Sequence, residues 1–550
     1  MTVSFVRQLG SESGIQLNPL RDNSEIPAGT NSDQIFAIAM RATRGRIDKA
    51  FIVNRGNAKL KLGKGEAMRV TELNEAWVQV QEALIKGAYS AVVSRLITDA
   101  AALKYIVVAE ELNEVTDLPT GNYTFTVTAE IPTATPYLMC IKHLDCFNDG
   151  IKIALHADEN RVDGANAANT ILTLRLLDKD DDKIAEYTGS LIQGDTDDSG
   201  NSRYLPDIIE ARTDALEVII GSTQSIPVNS AMYGYTSAIA DWVESDVLIY
   251  FTEGGTAYTT DDYQRATAQL AETQFDYAYI ASGGSKSPAL ITVLSNLMHD
   301  TNRQLRFDVP GDLTPDEAIT FVEQLNLGAS PSAHLAHAFW APFKSTDPTG
   351  INAKGHFGTA SLNIAKACAR NAQTNAKGFA PKNYPVAGRE FPVDRTGIVQ
   401  TYTPNNYELN ALAKAKINPV IYENYTGGGR YVFRDSLTSA QVESSMKKLI
   451  AVADMSTSID DAVTRYGKDV LQMPMEVSVK RMRDFLTTLF EGATASKWLV
   501  ASSDPEMNGS AWRFSVKPNE VRPYDLMDVE YWLRYDGTNR QTHVTQTLSR

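Results

Sequence analysis

Chemistry, if this chain performed any, would have to come from a few clusters of residues. Gly283-Gly284-Ser285-Lys286-Ser287 resembles half of a loop that cradles phosphates with backbone N–H groups and a lysine. The full G-x-x-x-x-G-K-[ST] pattern requires a leading glycine at position 280, where Ile280 stands, so a strand-to-helix turn is the simpler reading. Asp195, Asp197, Ser199 and Gly200 open like a calcium loop, but the twelfth position, where a bidentate Glu should close the ion's shell, is Pro206. A solvated turn is expected there. His334 and His337 would share one face of a helix, yet Ala333 to Trp340 alternates like a strand and no third ligand accompanies the pair. Asp178, Asp180, Asp181 and Asp182 read as a hairpin tip with exposed carboxylates. Neither a G-x-S-x-G elbow nor an H-E-x-x-H helix is present. No catalytic residue, metal ligand or cofactor site is assigned, no cofactor is expected, and the chain reads as a non-enzyme.

The elements around these residues describe a long, folded, multidomain chain. Its 550 residues exceed what one core sustains, since single hydrophobic cores stop growing at about 250–300 residues. The longest apolar run, Ile35–Met40, falls far short of the roughly 20 residues that span a bilayer. A secretory pattern is missing from Met1–Arg7, so assembly in the cytoplasm is expected. Cys140, Cys146 and Cys368 are odd in number and scattered, which suits reduced structural thiols. Fifty-two basic against 67 acidic residues leave a net charge of −15, which opposes direct binding to nucleic acid phosphates.

Periodicity divides the chain. Residues 1–30, punctuated by Gly10, Gly14, Pro19, Pro27 and Gly29, read as an N-terminal arm. Residues 31–110 and 240–345 read as a middle α/β domain: a buried strand at Ile35–Met40, a helix from Leu73 closed by Gly87, a strand near Ala91–Ile97, and a helix opened by Ser287 and Pro288. Thr314 and Glu317, with Pro315 between them, are spaced as a capping box. Between the two halves, residues 111–239 alternate with a period of two, as in Tyr123, Phe125 and Val127 or Leu172, Leu174 and Leu176, which predicts an inserted all-β domain. Residues 346–537 form a C-terminal domain and 538–550 a C-terminal arm. The fold class is therefore α/β and α+β multidomain, with a β insertion and extended arms at both ends.

Several segments in order resemble the contractile tail sheath family. Ile35–Asp48 is similar to the family's opening strand and loop, and Ala83–Ile97 to its helix, Gly turn and strand. Gly200–Ile209 resembles the end of its outward-facing inserted domain, and Gly254–Ala266 the return into the middle domain. Ala338–Pro348, Gly355–Arg370, Gly378–Pro381 and Leu409–Arg434 carry the strongest likeness. The resemblance implies a tail-sheath-like core and a structural subunit that polymerises with itself as stacked hexameric rings around a tail tube. It also implies partners at the baseplate and tail terminator, no membrane insertion, and a place in a virion tail assembled in the host cytoplasm. The sheath of a related non-phage injection machine is the nearest alternative; a nucleotide hydrolase using Lys286 and a glycan-binding surface protein are the rivals from other classes.

Two surfaces are expected to bind partners. On a helix near 477–491 the apolar face Met482, Phe485, Leu486 and Leu489 would pack inward, leaving Lys480, Arg481 and Arg483 exposed. In the family a C-terminal-domain helix touches the tube, and a basic cluster on an acidic chain would steer that contact. After Gly537, Thr542, Val544 and Leu548 alternate with polar residues. Extended at about 3.3 Å per residue, this arm would reach roughly 40 Å and add a strand to a neighbour's sheet.

Overall fold

The computed structural model describes residues 32–547 apart from 113–118, 134–135, 158–167, 170, 222–225, 228–241 and 285. Expectations for the N-terminal arm, Ser285 and Leu548 lie outside the described residues. Strand β1 (Ile35–Met40) is buried at every position, the pattern of a strand covered on both faces. It is followed by β2 (Phe51–Asn54), helix α1 (Glu75–Lys86) and β3 (Ser90–Arg95). Gly87, at φ 139°, ends α1, a backbone conformation that favours glycine; a short 3-10 turn at Glu72–Asn74 precedes the helix.

The chain then builds a pair of four-stranded sheets from β4 (Tyr105–Leu112), β5 (Pro119–Thr128), β6 (Met139–His143), β7 (Ile151–Ala157), β8 (Ile171–Asp178), β9 (Lys183–Ser190), β10 (Leu216–Ile220) and β11 (Val243–Glu244). Their orders are β9-β8-β7-β11 and β10-β6-β4-β5. Alternate residues such as Ile106, Val108, Ile153, Leu172 and Leu174 meet in one core. Helix α2 (Leu205–Arg212) packs on this unit. The β8–β9 turn is a hairpin tip, but the expectation of exposed carboxylates needs correcting for Asp178. It is buried, accepting backbone N–H groups of Asp180 and Asp182 at 2.9 and 3.0 Å and Arg44 Nη2 at 3.2 Å. An acid that caps its own turn satisfies local donors first, and a cation from elsewhere then allows it to be buried.

Helix and strand alternate again through α3 (Thr260–Glu272), β12 (Tyr279–Ala281), α4 (Pro288–Thr301), β13 (Gln304–Val309), α5 (Pro315–Leu325) and β14 (Ala336–Trp340). Ser287 caps α4, and Thr314 and Glu317 close a capping box on α5. Helices α6 (Ala360–Asn371) and α7 (Asn406–Lys414) lead to the antiparallel pair β15 (Ile417–Tyr425) and β16 (Gly428–Phe433). All of these strands join one eight-stranded sheet of order β2-β3-β1-β12-β13-β14-β15-β16, so residues 417–433 share a sheet with residues 35–40. The six strands from β3 to β15 are parallel. Helices α3, α4, α5 and α7 cover one face, and α1 and α6 the other.

A further core gathers α8 (Ile450–Asp469), α9 (Met475–Ala495) and the hairpin β17 (Trp512–Pro518) and β18 (Met527–Leu533). Phe490 of α9 lies against Trp512, Phe514 and Tyr531, and Tyr466 stacks on Phe485 at 4.0 Å. Asp454 of α8, fully buried, ties this unit to the large sheet by bonding Arg306 of β13 at 3.0 Å and Arg370 of α6 at 2.8 Å.

Candidate functional site

In an open parallel sheet, ligands bind beyond the carboxyl ends of the strands where the strand order reverses. Here that point lies between β1 and β12, because the chain leaves β1 for β3 on one side and later returns to β12 on the other. Gly283 and Gly284 stand at that point, both at positive φ (67° and 75°), as a phosphate loop would require. The crevice is nevertheless filled from within. A Cβ on Gly284 would lie 2.2 Å from Glu75 Cδ, and one on Gly283 would lie 2.7 Å from Ala76 Cβ. Glycine is needed at Gly284 so that the backbone can approach the carboxylate at the start of α1.

Glu75 Oε1 accepts Gln79 Nε2 at 2.8 Å and the Gly358 N–H at 2.6 Å. Beside it, Asp308 accepts the N–H groups of Thr359 and Ala360 at 2.6 and 2.8 Å and Gln79 Nε2 at 3.1 Å. Burial and then the neighbouring Asp308 charge push the Glu75 carboxyl up to about 8, against the hydrogen bonds from Gly358 and Gln79. Burial likewise raises Asp308. Arg395 is committed to Glu82 through contacts of 2.8 and 2.6 Å. Arg41, at the end of β1, holds Glu66, Asn74 and Glu253. Acidic side chains already engaged with backbone N–H groups therefore fill the place where a nucleotide's phosphates would sit. Lys286 lies 3.4 Å from Asp312.

The β insertion closes the same edge. Arg95, at the end of β3, donates to the carbonyls of Gly45 and Cys146 at 2.9 and 2.5 Å and to Asn148 Oδ1 at 2.7 Å. Basic residues of the sheet unit meet acids of the insertion: Arg44 with Asp149 at 2.8 Å, Arg46 with Asp214 at 2.9 Å, Lys61 with Asp145 at 2.9 Å, and Lys64 with Asp180 at 2.6 Å. The remaining clusters stay apart. Asp197 accepts from Ser199 N, Asn201 N and Asn201 Nδ2 at 2.8–2.9 Å, closing a turn on itself. His337 is buried in β14, where burial and Arg306 push its imidazole down to about 3, while His334 sits in a 3-10 turn and meets it through its backbone carbonyl. Among the described residues, no helix is long and apolar enough to cross a membrane.

The C-terminal unit is built in the opposite way. Among the described residues, β17 and β18 form a sheet of their own with no third strand. On α9, Met482 and Leu486 are buried while Lys480, Arg481 and Arg483 are exposed. Arg483 is also engaged inside the chain, donating to the Val516 carbonyl at 3.1 and 2.6 Å, and Arg481 lies 3.5 Å from Met473 Sδ. The C-terminal segment leaves the hairpin, and residues 541–547, including Thr542 and Val544, are all exposed. Residues 538–547 make no backbone–backbone hydrogen bond to other described residues. Neither Glu75 and Asp308 nor Asp435, which anchors the arm through Arg540, stands out in the sequence. An acid in a helix's first turn reads as a dipole partner, and only the return of distant chain shows it to be buried.

Solved structures similar to this chain include the following. A crystal structure of a sheath tail protein from Desulfitobacterium hafniense aligns at a TM-score of 0.47 and 11% identity over 94% of this chain and 99% of that one. The anti-feeding prophage baseplate, solved by cryo-electron microscopy, aligns at 0.40 and 12% identity over 54% and 75%. The PVC sheath complex of an extracellular contractile injection system, in its contracted state, aligns at 0.40 and 14% identity over 51% and 74%. No family model matches the sequence, and no curated protein matches it.

Proposed function

We propose that this protein is the subunit of a contractile tail sheath, which polymerises as stacked hexameric rings around a tail tube and acts by rearranging its lattice rather than by catalysis. The observation that carries this reading is the pairing of an open two-stranded hairpin, β17–β18, with a C-terminal segment whose backbone is unpaired and exposed over 541–547. A chain that offers both an unfilled sheet and a free strand is complementary to copies of itself. Each exchanged hydrogen bond contributes about 1 kcal/mol net, and repetition around a ring makes a mesh that persists while other interfaces slide. The ordered sequence likeness to tail sheaths supports the same reading.

Contraction is then the passage of largely rigid subunits between packings, a bistable-interface mechanism. The buried Arg306–Asp454–Arg370 tie and the ion pairs fastening the β insertion support movement as a unit. The carboxylate-filled crevice at Gly283–Gly284 speaks against the nucleotide hydrolase. Within this reading the tail tube is met by the basic stretch Lys480, Arg481 and Arg483, and the ends of the sheath meet baseplate and terminator proteins in a virion tail assembled in the host cytoplasm. A related non-phage injection machine would use the same surfaces.

Electron microscopy of the purified chain tests the reading, with tubes or striated polymers expected from the full chain and folded, soluble monomers from a truncation after Gly537. Normal polymers from that truncation would remove the arm from the mechanism. Reversing the charges of Lys480, Arg481 and Arg483 together is expected to impair assembly on tubes without unfolding the subunit, and unchanged assembly would reject that contact.

A further inference from the structure

A tethered strand has a built-in rival to exchange. At micromolar subunit concentrations, a short arm sees its own hairpin at an effective concentration in the millimolar range, so pairing within one chain would outcompete pairing between chains unless something prevents it. Two features of this fold do so. Beyond β18 the chain stays in a ladder: Arg534 N donates to the Ala511 carbonyl at 3.0 Å, Val500 N to the Arg534 carbonyl at 2.9 Å and Asp536 N to the Trp498 carbonyl at 3.0 Å, with Leu499 bridging Tyr535. Residues 534–536 are thus flanked on one side by Ala511 and on the other by 498–500. The tight reversal that would fold the arm back along β18 has no room to form there.

The second feature is a clasp. Arg540 Nε meets Asp435 Oδ1 at 2.6 Å and Nη2 meets Oδ2 at 2.5 Å, with the two side chains only 22% and 16% exposed. Asp435 lies two residues beyond β16 and is itself oriented by accepting the Ser436 N–H at 2.9 Å. A two-point guanidinium–carboxylate contact fixes direction as well as distance. It holds the base of the arm against the end of the large sheet, and the unbroken run of exposed residues, 541–547, begins immediately after it.

The geometry points to Arg540–Asp435 as an exit clasp that turns the arm away from its own hairpin, so that its strand is taken up by a second copy of this chain. This inference rests on the sheath reading above and names the pair that makes exchange intermolecular. Without the clasp, the arm is free to search its own surface, and the monomer becomes a competing end state.

The test uses the full chain with Arg540→Gln, Asp435→Asn and the exchanged pair Arg540→Asp with Asp435→Arg, alongside the truncation after Gly537. Sedimentation across a concentration series gives the concentration at half polymerisation, and hydrogen exchange on the monomer reports residues 541–547. Each single variant is expected to melt as wild type and to need about tenfold more protein to polymerise. Its arm amides should become protected in the monomer, and the exchanged pair should restore both readouts. If the truncation fails to polymerise while the single variants polymerise like wild type, the clasp is overturned and the sheath reading stands. Weakened polymerisation with unprotected arm amides, or without rescue by the exchanged pair, also overturns the clasp. A truncation that polymerises normally removes the arm, and the clasp with it, from assembly, whereas a full chain that forms no polymer overturns the sheath reading.

Discussion

The carboxyl edge of the eight-stranded sheet and the hairpin β17–β18 invert the usual roles of core and surface. In doubly wound proteins the crevice at the reversal of strand order is left open for a ligand. Here Glu75, Asp308, Arg41 and the β insertion fill it. Sheet edges are ordinarily paired, covered or blunted, because an open edge templates association, yet β17–β18 remains a two-stranded sheet among the described residues. Where an enzyme would be open this chain is sealed, and where a monomer would be sealed it is open. In the sheath reading proposed above, binding capacity lies in the backbone of the hairpin and arm rather than in the cleft.

The most severe way to break the comparison is on the open side. Removing residues after Gly537 is expected to abolish polymerisation while circular dichroism and the melting transition stay close to those of the full chain, since 541–547 are exposed and none of the described residues removed belongs to a hydrophobic core. The next effect is on the sealed side, at the tie between the units. Asp454→Ala leaves Arg306 and Arg370 buried without their carboxylate, and breaking such a pair costs about 3–5 kcal/mol, to be read by denaturant unfolding. Burial opposes ionisation of Asp454, but Arg370 and Arg306 outweigh it and hold the carboxyl down to about 2. Its contribution is therefore fully present above the ordinary value of 3.8 and is lost as pH falls toward 2. The stability difference between wild type and variant should shrink across that window.

Glu75 has the opposite sign. Its carboxyl is raised from 4.5 to about 8, so the stability it lends as a neutral acid is present below pH 4.5 and declines as pH rises through about 8. Glu75→Gln, which cannot ionise beside Asp308, is expected to flatten that decline and to exceed wild type in melting temperature above pH 8; parallel pH profiles would show that the crevice does not hold a proton. The smallest effect is at Lys286. Lys286→Ala removes a partly exposed ion pair with Asp312 and should change stability by less than about 1 kcal/mol. It should leave no measurable difference in ATP binding or hydrolysis, and turnover that disappears in this variant would reopen the crevice as an active site.

Much of the scaffold was legible in local patterns. The uniform apolarity of Ile35–Met40, the alternation through Leu172, Leu174 and Leu176, the Thr314–Glu317 box and the Ser287 cap each state their element, because capping and burial periodicity act within a few residues. The turn of Asp195–Gly200 is equally local. Asp178 was misread for the complementary reason: its own turn is written in the sequence, but Arg44, 134 residues away, is what takes it out of solvent. Arg483 follows the same pattern, reading as a free charge until β17 returns beside α9.

Composition and periodicity determined on their own that this is a large, acidic chain of α/β stretches with period-two segments between them, while the likeness to tail sheaths came from the resemblance of ordered segments from Ile35–Asp48 to Leu409–Arg434. Only the tertiary structure decided that Glu75 faces Gly284, that Asp454 joins units more than 80 residues apart, that residues 417–433 complete a sheet begun at residue 35, and that Arg540 finds Asp435. The division has a physical basis. Capping, turn and amphipathic preferences are set by neighbours along the chain, whereas buried charges and open edges depend on which distant groups arrive beside them, a choice made by the packing of the whole core.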